Sequence, residues 1–237
     1  MSRNRIKTIL LGNFMLVAVL CAAWPGQAQE AKAPYPSMAP IERYLMADRN
    51  AEIALARSAA PESISHDAEV LVLGRQGYET VVKGKNGFVC AVERSWGAGF
   101  DDQEFWNPKN RSPICFNPPA AQSVLPVYLY RTKMVLAGRS KAQMIDTSKA
   151  AFDKKELPTP APGAMCYMMS KEAYLTDSGS HNLAHLMFEF PRMDGAALGA
   201  DVPNSPVMVG TQDGPEPMTE MIVPVGKWSD GTAAPTD

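Results

Sequence analysis

Two histidines and an aspartate form the group of residues with the clearest capacity for chemistry. His181 and His185 are two of the three histidines in the chain, and Asp177 precedes His181 by four residues. Imidazole and carboxylate side chains bind zinc, copper and nickel. The three residues could therefore hold a divalent transition metal, and a metal-bound water would then act as the nucleophile of a hydrolase.

The local structure around the two histidines leaves two interpretations open. The flanking sequence is typical of a loop that runs into a strand, where residues four positions apart are separated by about 13 Å. His181 and His185 can therefore share a metal only if the loop folds back. The alternative is that both are hydrogen-bonded or solvent-facing histidines without a metal.

A second candidate site lies in a loop that is rich in aromatic and acidic residues. Trp96 and Trp106 enclose a segment that contains Asp101 and Asp102. Exposed rings beside carboxylates can stack a sugar or another small ligand, and a carboxylate pair can perform glycosidic acid/base chemistry. Large aromatic side chains in a long loop usually anchor it to the body of the domain, and we favour this interpretation of the rings. The four residues are the candidate ligand-binding residues under the other interpretation, and we predict no catalytic residue.

Most signatures of known enzyme classes are absent from the sequence. No Gly-rich loop ends in Gly-Lys-Ser/Thr, and no dinucleotide-binding fingerprint follows a predicted strand. No serine is followed three residues later by lysine, and there is no Cys-x-x-Cys pair. The formal net charge of −2, from 23 basic and 25 acidic residues, provides no basic field to attract nucleic acid. We therefore expect a non-catalytic protein without a nucleic-acid partner.

Residues 1–28 have the features of a cleaved export signal. A basic start precedes an apolar run at 9–23, and the small residues Gly26 and Ala28 offer a cleavage point. The run is short for a membrane span of roughly 20 residues, so we favour cleavage over a retained anchor. The mature protein is predicted to be periplasmic or secreted, with no stable membrane span.

Cleavage of this signal would leave three cysteines, Cys90, Cys115 and Cys166. An oxidising compartment could hold one disulfide and one spare thiol. Cys90 and Cys115 enclose a stretch that contains Gly and Pro, and they are the preferred pair. Three small buried residues are the alternative, because free cysteine is among the most buried residue types.

Changes in hydrophobic periodicity predict the elements that position these residues. Apolar residues at three- and four-residue spacing indicate helices at 41–60, 119–137 and 140–157. Pro126 should kink or delay the second helix, and Ser140 should cap the third.

Runs of β-branched and aromatic residues predict strands on either side of the two central helices. The Asn86-Gly87 pair predicts a hairpin between the second and third strands, so the first three should form an antiparallel meander. The predicted strands are 69–73, 78–82, 88–96, 164–169, 183–190, 206–209 and 218–225.

This order of elements predicts an α+β fold. The expected sheet is mostly antiparallel, with one N-terminal helix and two central helices. We divide the rest of the chain into a flexible leader at 29–39, a single domain at 40–228 and a loose tail at 229–237. Three prolines at 158–162 could instead separate two subdomains.

Four runs of the sequence are distinctive: Ile41–Met46, Gly87–Trp96, Pro113–Pro118 and His185–Phe188. They resemble a family of exported bacterial proteins whose function is uncharacterised, over nearly the whole mature chain. Cys90 and Cys115 lie inside the two most specific runs, so the resemblance also favours their pairing. Members of the family are richer in His and Trp around 181–185, where this chain has Asn182 and Leu183. The resemblance therefore implies export but no metal role and no reaction.

We thus expect an exported protein that binds a small ligand between the loop at 97–118 and the turn at 176–188. One alternative is a metal-dependent hydrolase that uses His181, His185 and Asp177, with a divalent transition metal as its cofactor. Another is a structural or assembly partner in the cell envelope.

Overall fold

The computed structural model describes residues 34–179, 183–200, 202–210 and 214–235. The predicted export signal and His181 lie outside these ranges. The helices are α1 (Arg49–Arg57), α2 (Glu62–Ser65), α3 (Pro118–Ser123), α4 (Leu125–Leu136) and α5 (Lys141–Asp153). The strands are β1 (Glu69–Gly74), β2 (Gly77–Val82), β3 (Val89–Glu93), β4 (Ser112–Phe116), β5 (Met165–Met168), β6 (His185–Pro191), β7 (Met208–Val209) and β8 (Met218–Pro224).

The eight strands form one sheet in the order β2-β1-β3-β4-β5-β6-β8-β7. Every neighbouring pair is antiparallel except β1 and β3, which are parallel. The predicted α+β fold is confirmed, with a mostly antiparallel sheet, an N-terminal helix and central helices between the two groups of strands.

The connection between β2 and β3 is a crossover, so the predicted hairpin at Asn86-Gly87 is wrong. The chain passes the start of β1 so closely that a β-carbon on Gly84 would lie 2.3 Å from the Glu69 nitrogen. Asn86 turns the chain by other means, because its side chain donates to the Ile64 carbonyl and accepts from the Phe88 amide. The third strand therefore joins β1 instead of extending a meander from β2.

The central helices begin where the sequence places their caps. The Ser140 hydroxyl accepts from the Gln143 amide, and the Gln143 side chain accepts from the Ser140 amide, so α5 starts with a capping box. Pro126 lies in the first turn of α4, which separates this helix from α3. Where the sequence predicts a kinked or delayed helix, the structure thus has a boundary between two helices.

Helices cover both faces of the sheet and divide the core into two parts. On one face, α1 packs against a cluster that includes Val70, Val92 and the cysteines of β3 and β4. On the other face, side chains of α3, α4 and α5 cover Leu71, Ile114 and Phe116. Because side chains alternate along a strand, β1, β3 and β4 supply both clusters.

A fully buried ion pair connects these layers. The Arg94 Nη2 lies 2.8 Å from the Glu52 Oε1, and neither side chain has any exposed surface. Arg94 also donates from Nε to the Tyr44 carbonyl, and its amide donates to the Tyr128 hydroxyl. The same Glu52 oxygen accepts from the Leu73 amide. The pair therefore ties α1, β1, the end of β3 and α4 to one point.

The structure joins Cys90 to Cys115 by a disulfide between β3 and β4. The two residues face each other in the register of these strands, with their Cα atoms 4.0 Å apart. Cys166 is a free, buried thiol. The disulfide agrees with the preferred pairing, and it is compatible with an oxidising compartment.

Both ends of the described domain make specific contacts with the rest of the chain. Tyr35, in the expected flexible leader, donates its hydroxyl to Asp177 at 2.5 Å. In the expected loose tail, Ala233 pairs with Lys227, and the Asp230 carboxylate lies 2.5 Å from the Lys171 ammonium. Among the described residues, no helix combines the length and the apolar character that crossing a membrane would require.

We predict that Glu52→Gln strongly destabilises the protein. The substitution leaves the Arg94 guanidinium buried without a counter-charge, which typically costs about 3 to 5 kcal/mol of unfolding free energy. Urea denaturation of the purified domain measures this loss. The matched control is Glu79→Gln, because Glu79 pairs with Arg49 on the surface, and we expect a loss below about 1 kcal/mol. Equal effects of the two substitutions would contradict the role assigned to the buried pair.

Candidate functional site

A candidate site is a cavity between the sheet and α4. It has a volume of about 150 Å³ and lies on the sheet face that α3 and α4 cover. Two loop segments, 97–100 and 214–216, complete its wall. The side chains that line it are Glu93, Phe100, Ile114, Phe116, Val124, Val127, Tyr128, Arg131, Cys166, Met187, Glu189, Pro215, Glu216, Met218 and Glu220.

Three carboxyl groups on three different strands face this cavity. Glu93 ends β3, whereas Glu189 of β6 and Glu220 of β8 are directly opposite each other across two paired strands. The carboxyl groups of Glu189 and Glu220 are close enough that each influences the pKa of the other. Glu93 accepts no hydrogen bond from any residue in the described ranges. The cavity therefore has one shared carboxyl pair and one separate carboxyl group.

The register of the strands separates Glu93 from this pair. Glu93 pairs with Ser112, the first residue of β4. The Glu189 amide donates to the Ala164 carbonyl, and in the register of β4 and β5 Ala164 lies past Phe116, the last residue of β4. A diagonal across the sheet from Glu93 to Glu189 passes over Ile114 and Cys166. The floor between the two acidic positions is thus formed by an aliphatic side chain and a buried thiol.

Two glycines leave room for the carboxyl groups. A β-carbon on Gly97 would lie 2.6 Å from the Glu93 Oε2, and one on Gly210 would lie 2.6 Å from the Glu220 Oε1. Such distances are shorter than those of real side-chain contacts. Any larger residue at either position would therefore displace the carboxyl group from its place in the cavity.

The one guanidinium in the cavity wall is already neutralised. Arg131 of α4 forms a two-pronged ion pair with Glu216, in which its Nε lies 2.7 Å from the Glu216 Oε1. Its Nη1 donates to the carbonyls of Trp96, Gly97 and Ala98 at 2.7 to 3.0 Å. All three guanidinium nitrogens are thus engaged, and Arg131 is poorly placed to bind an anion.

Burial raises the pKa of the cavity's acidic groups. Loss of solvent raises the pKa of Glu93 to about 8, although the Arg131 charge opposes the shift and the Glu220 charge adds to it. Burial also raises the pKa of Glu189 and of Glu220 above the usual glutamate range, and the negative charge of Glu220 raises that of Glu189 further. The empty cavity therefore retains protons at neutral pH.

The two tryptophans of the predicted ligand-binding loop lie in the core. Trp96 has no exposed surface and donates its indole N–H to the Thr132 hydroxyl, while Trp106 is 5% exposed. Neither ring lines the cavity, so the expectation of exposed stacking rings is not met. The rings anchor the loop, because burying such large side chains stabilises its attachment to the domain.

The two aspartates of this loop lie at the surface of its turn. The Asp102 carboxylate accepts from the Glu104 amide, and its carbonyl accepts from the Lys141 ammonium. Asp101 is exposed. Neither residue lines the cavity. Of the expected loop, only the backbone at 97–99 and the ring of Phe100 contribute to the site.

Asp177 belongs to a hydrogen-bonded network and not to a metal centre in the part of the chain described. Its carboxylate accepts from the hydroxyls of Tyr35 and Tyr174 and from the side chains of Asn107 and Lys109. The two tyrosine hydroxyls, together with Lys109 and Asn107, hold the pKa of this carboxyl well below its usual range. These donors occupy the oxygen atoms that a metal would need.

His185 lies apart from this network, inside β6. It is 8% exposed, and its Nδ1 lies 2.7 Å from the Leu183 carbonyl oxygen. Its proposed partner His181 is outside the described residues. Within the described ranges, no group of three His, Cys, Asp or Glu side chains is arranged to hold a metal ion.

Sequence reasoning missed the three glutamates of the cavity, although a signal was present. Glu93 and Glu189 follow apolar neighbours at two-residue spacing, so alternation places both on the covered face of the sheet. Glutamate is rarely buried unless it is paired. A glutamate at a core-facing position of a predicted strand is therefore a useful marker of a functional cavity.

Comparison with protein-family models, with curated proteins and with solved structures gives no match. The expected relationship to exported bacterial proteins stays a prediction, and the cavity itself is what bears on function.

We predict that Glu93→Gln reduces the pH dependence of stability. Between pH 4.5 and about 8, the unfolded chain releases the Glu93 proton while the folded protein retains it. Such a group makes the unfolding free energy fall by up to about 1.4 kcal/mol per pH unit in this window. The titratable and charged groups around Glu93 are Tyr128 and Arg131 of α4, Cys166 of β5, Glu189 of β6 and Glu220 of β8.

Urea denaturation at pH 5, 6.5 and 8 checks this expectation. Glu93→Gln should flatten the decline in stability and should stabilise the protein most at pH 8. Exposed Glu156 provides the control, since Glu156→Gln should leave the slope unchanged. Parallel curves for the wild type and Glu93→Gln would show that this carboxyl is not held protonated by burial.

Proposed function

We propose that this chain is an exported, non-catalytic protein that binds a small organic cation in the cavity between the sheet and α4. The observation that supports this function is the set of three carboxyl groups in a cavity whose only lining guanidinium, among the described residues, is paired with Glu216. An ionised carboxylate in a buried environment lacks the solvent that would stabilise its negative charge, and a bound cation stabilises that charge instead. The carboxyl groups also offer acceptors to an ammonium group.

The size and the walls of the cavity limit the ligand to a small molecule. A cavity of about 150 Å³ accepts a molecule of about the size of benzene. Aromatic and aliphatic side chains, including Phe116 and Val127, cover much of the wall and favour an apolar body. Ligand sites commonly combine such walls with a few polar groups that fix orientation.

The arrangement supports binding more than glycosidic hydrolysis. Acid/base hydrolysis needs two carboxyl groups on opposite sides of a scissile bond, with several ångströms between them. Glu189 and Glu220 are direct neighbours on two adjacent strands of one sheet, so they do not flank a bound molecule from opposite sides. The pair serves better to adjust the charge of the site.

Export is proposed from the sequence and is supported by the disulfide. The N-terminal residues have the charge and hydropathy of a cleaved signal. A disulfide between Cys90 and Cys115 would persist in the periplasm or outside the cell. An acidic cavity and a net charge of −2 also disfavour nucleic acid as a partner.

The test compares three five-carbon molecules that differ in charge: pentylammonium, pentan-1-ol and pentanoate. Isothermal titration at pH 7.5 should detect pentylammonium and neither of the others. Glu189→Gln should weaken pentylammonium binding about tenfold or more, because an ionic hydrogen bond contributes about 1.5 to 3 kcal/mol. The distant control Glu156→Gln should bind like the wild type. Equal binding of the alcohol or the anion would overturn the proposed selectivity.

A further inference from the structure

Two acidic positions on different strands line the cavity, and apolar side chains lie between them in the sheet. Glu93 ends β3, and the opposed pair of Glu189 and Glu220 lies on β6 and β8. Ile114 and Cys166 lie on the diagonal between them. This pattern is complementary to a short diamine, which has a cationic end, a methylene chain and a second cationic end.

The charge of the site also fits a dication. Arg131 and Glu216 neutralise each other, so they add no net charge. If Glu189 and Glu220 keep one shared proton, the pair carries one negative charge and ionised Glu93 carries a second. Two positive charges therefore balance the cavity, whereas one positive charge leaves one carboxyl group to be neutralised by a proton.

Glu93 provides the observation that points most directly to a missing partner. This carboxyl group is half-buried and lines the cavity, and no described residue donates a hydrogen bond to it. By contrast, the buried carboxylate of Glu52 has Arg94 as a counter-charge. A buried carboxyl group without a donor incurs a desolvation cost that a bound ammonium group removes.

From this arrangement we infer that the preferred ligand is a short aliphatic diamine, bound with one ammonium group at Glu93 and the other at the Glu189–Glu220 pair. This inference rests on the proposed function, because it names the class of cation that the same cavity takes. The methylene chain would lie over Ile114 and Cys166, where it buries apolar surface. Both ends must be engaged for the preference to exist.

The choice of 1,4-diaminobutane follows from the cavity volume. This diamine has as many non-hydrogen atoms as benzene, the size that a cavity of about 150 Å³ accepts. Pentylamine has the same number of non-hydrogen atoms but a methyl group in place of the second ammonium group. The two amines are therefore a matched pair that isolates the contribution of the second charge.

Isothermal titration of the mature protein with both amines tests the inference. We expect 1,4-diaminobutane to bind at least tenfold more tightly than pentylamine at pH 7.5. Titration in two buffers of different ionisation enthalpy should also show more protons released per diamine, because both acidic positions must ionise. Equal affinities for the two amines would overturn the diamine inference while leaving a cation site in place. Binding of neither amine would overturn the proposed function itself.

Glu93→Gln locates the second ammonium group. This variant should bind 1,4-diaminobutane no more tightly than it binds pentylamine, since only the Glu189–Glu220 end still carries a charge. Its retained binding of pentylamine would show that the cavity is still folded. The control Glu156→Gln should keep the wild-type preference. A Glu93→Gln protein that still prefers the diamine tenfold would show that Glu93 does not hold the second charge.

Discussion

The buried ion pair between Arg94 and Glu52 is the constraint on which the rest of the structure depends. A permanently charged guanidinium can be buried only beside a counter-charge, so α1 must present Glu52 at the end of β3. The Tyr44 carbonyl and the Tyr128 hydroxyl complete its surroundings. One residue therefore fixes the positions of the N-terminal segment, the sheet and α4 relative to one another.

The neighbouring residue shows the opposite solution to the same problem. Glu93 precedes Arg94, and successive residues of a strand face opposite sides of a sheet. Arg94 meets a counter-charge on the α1 side, whereas Glu93 faces the cavity with no donor among the described residues. In such a place a carboxyl group can become neutral by accepting a proton. An arginine cannot become neutral in the same way, because it does not release its proton. The cavity thus contains acids whose charge depends on what else is present.

Local features of the fold were predictable from the sequence, whereas long-range pairing was not. The cap at Ser140 and the helix boundary at Pro126 depend on residues a few positions apart, and the structure agrees with both. The turn at Asn86-Gly87 has a strong hairpin signal, yet β3 pairs with β1. Pairing with β1 places β3 between two covered faces, and this gain depends on α1 on one face and on the later helices α3 and α4 on the other.

The same limit explains why the sequence pointed to the aromatic loop and not to the cavity. Large rings in a loop, such as those of Trp96 and Trp106, can bind ligands. Their burial, however, is decided by the packing of α4 and the N-terminal segment. The glutamates of the cavity are far apart in sequence, at 93, 189 and 220. Only the order of the strands brings them to one cavity. A pattern read along the chain could mark each as unusual but could not show that they meet.

Protonation and ligand binding at this cavity depend on the same free energy, which is the cost of burying an ionised carboxylate. Burial raises the pKa of Glu93 to about 8 because the ionised form lacks solvent and an adjacent donor. A bound cation supplies the missing interaction to the ionised form alone, so it must lower that pKa. By linkage, each proton released on binding makes the affinity rise with pH until the empty site has itself ionised. The cost of burying these acids is therefore the same quantity that makes the cavity selective for positive charge.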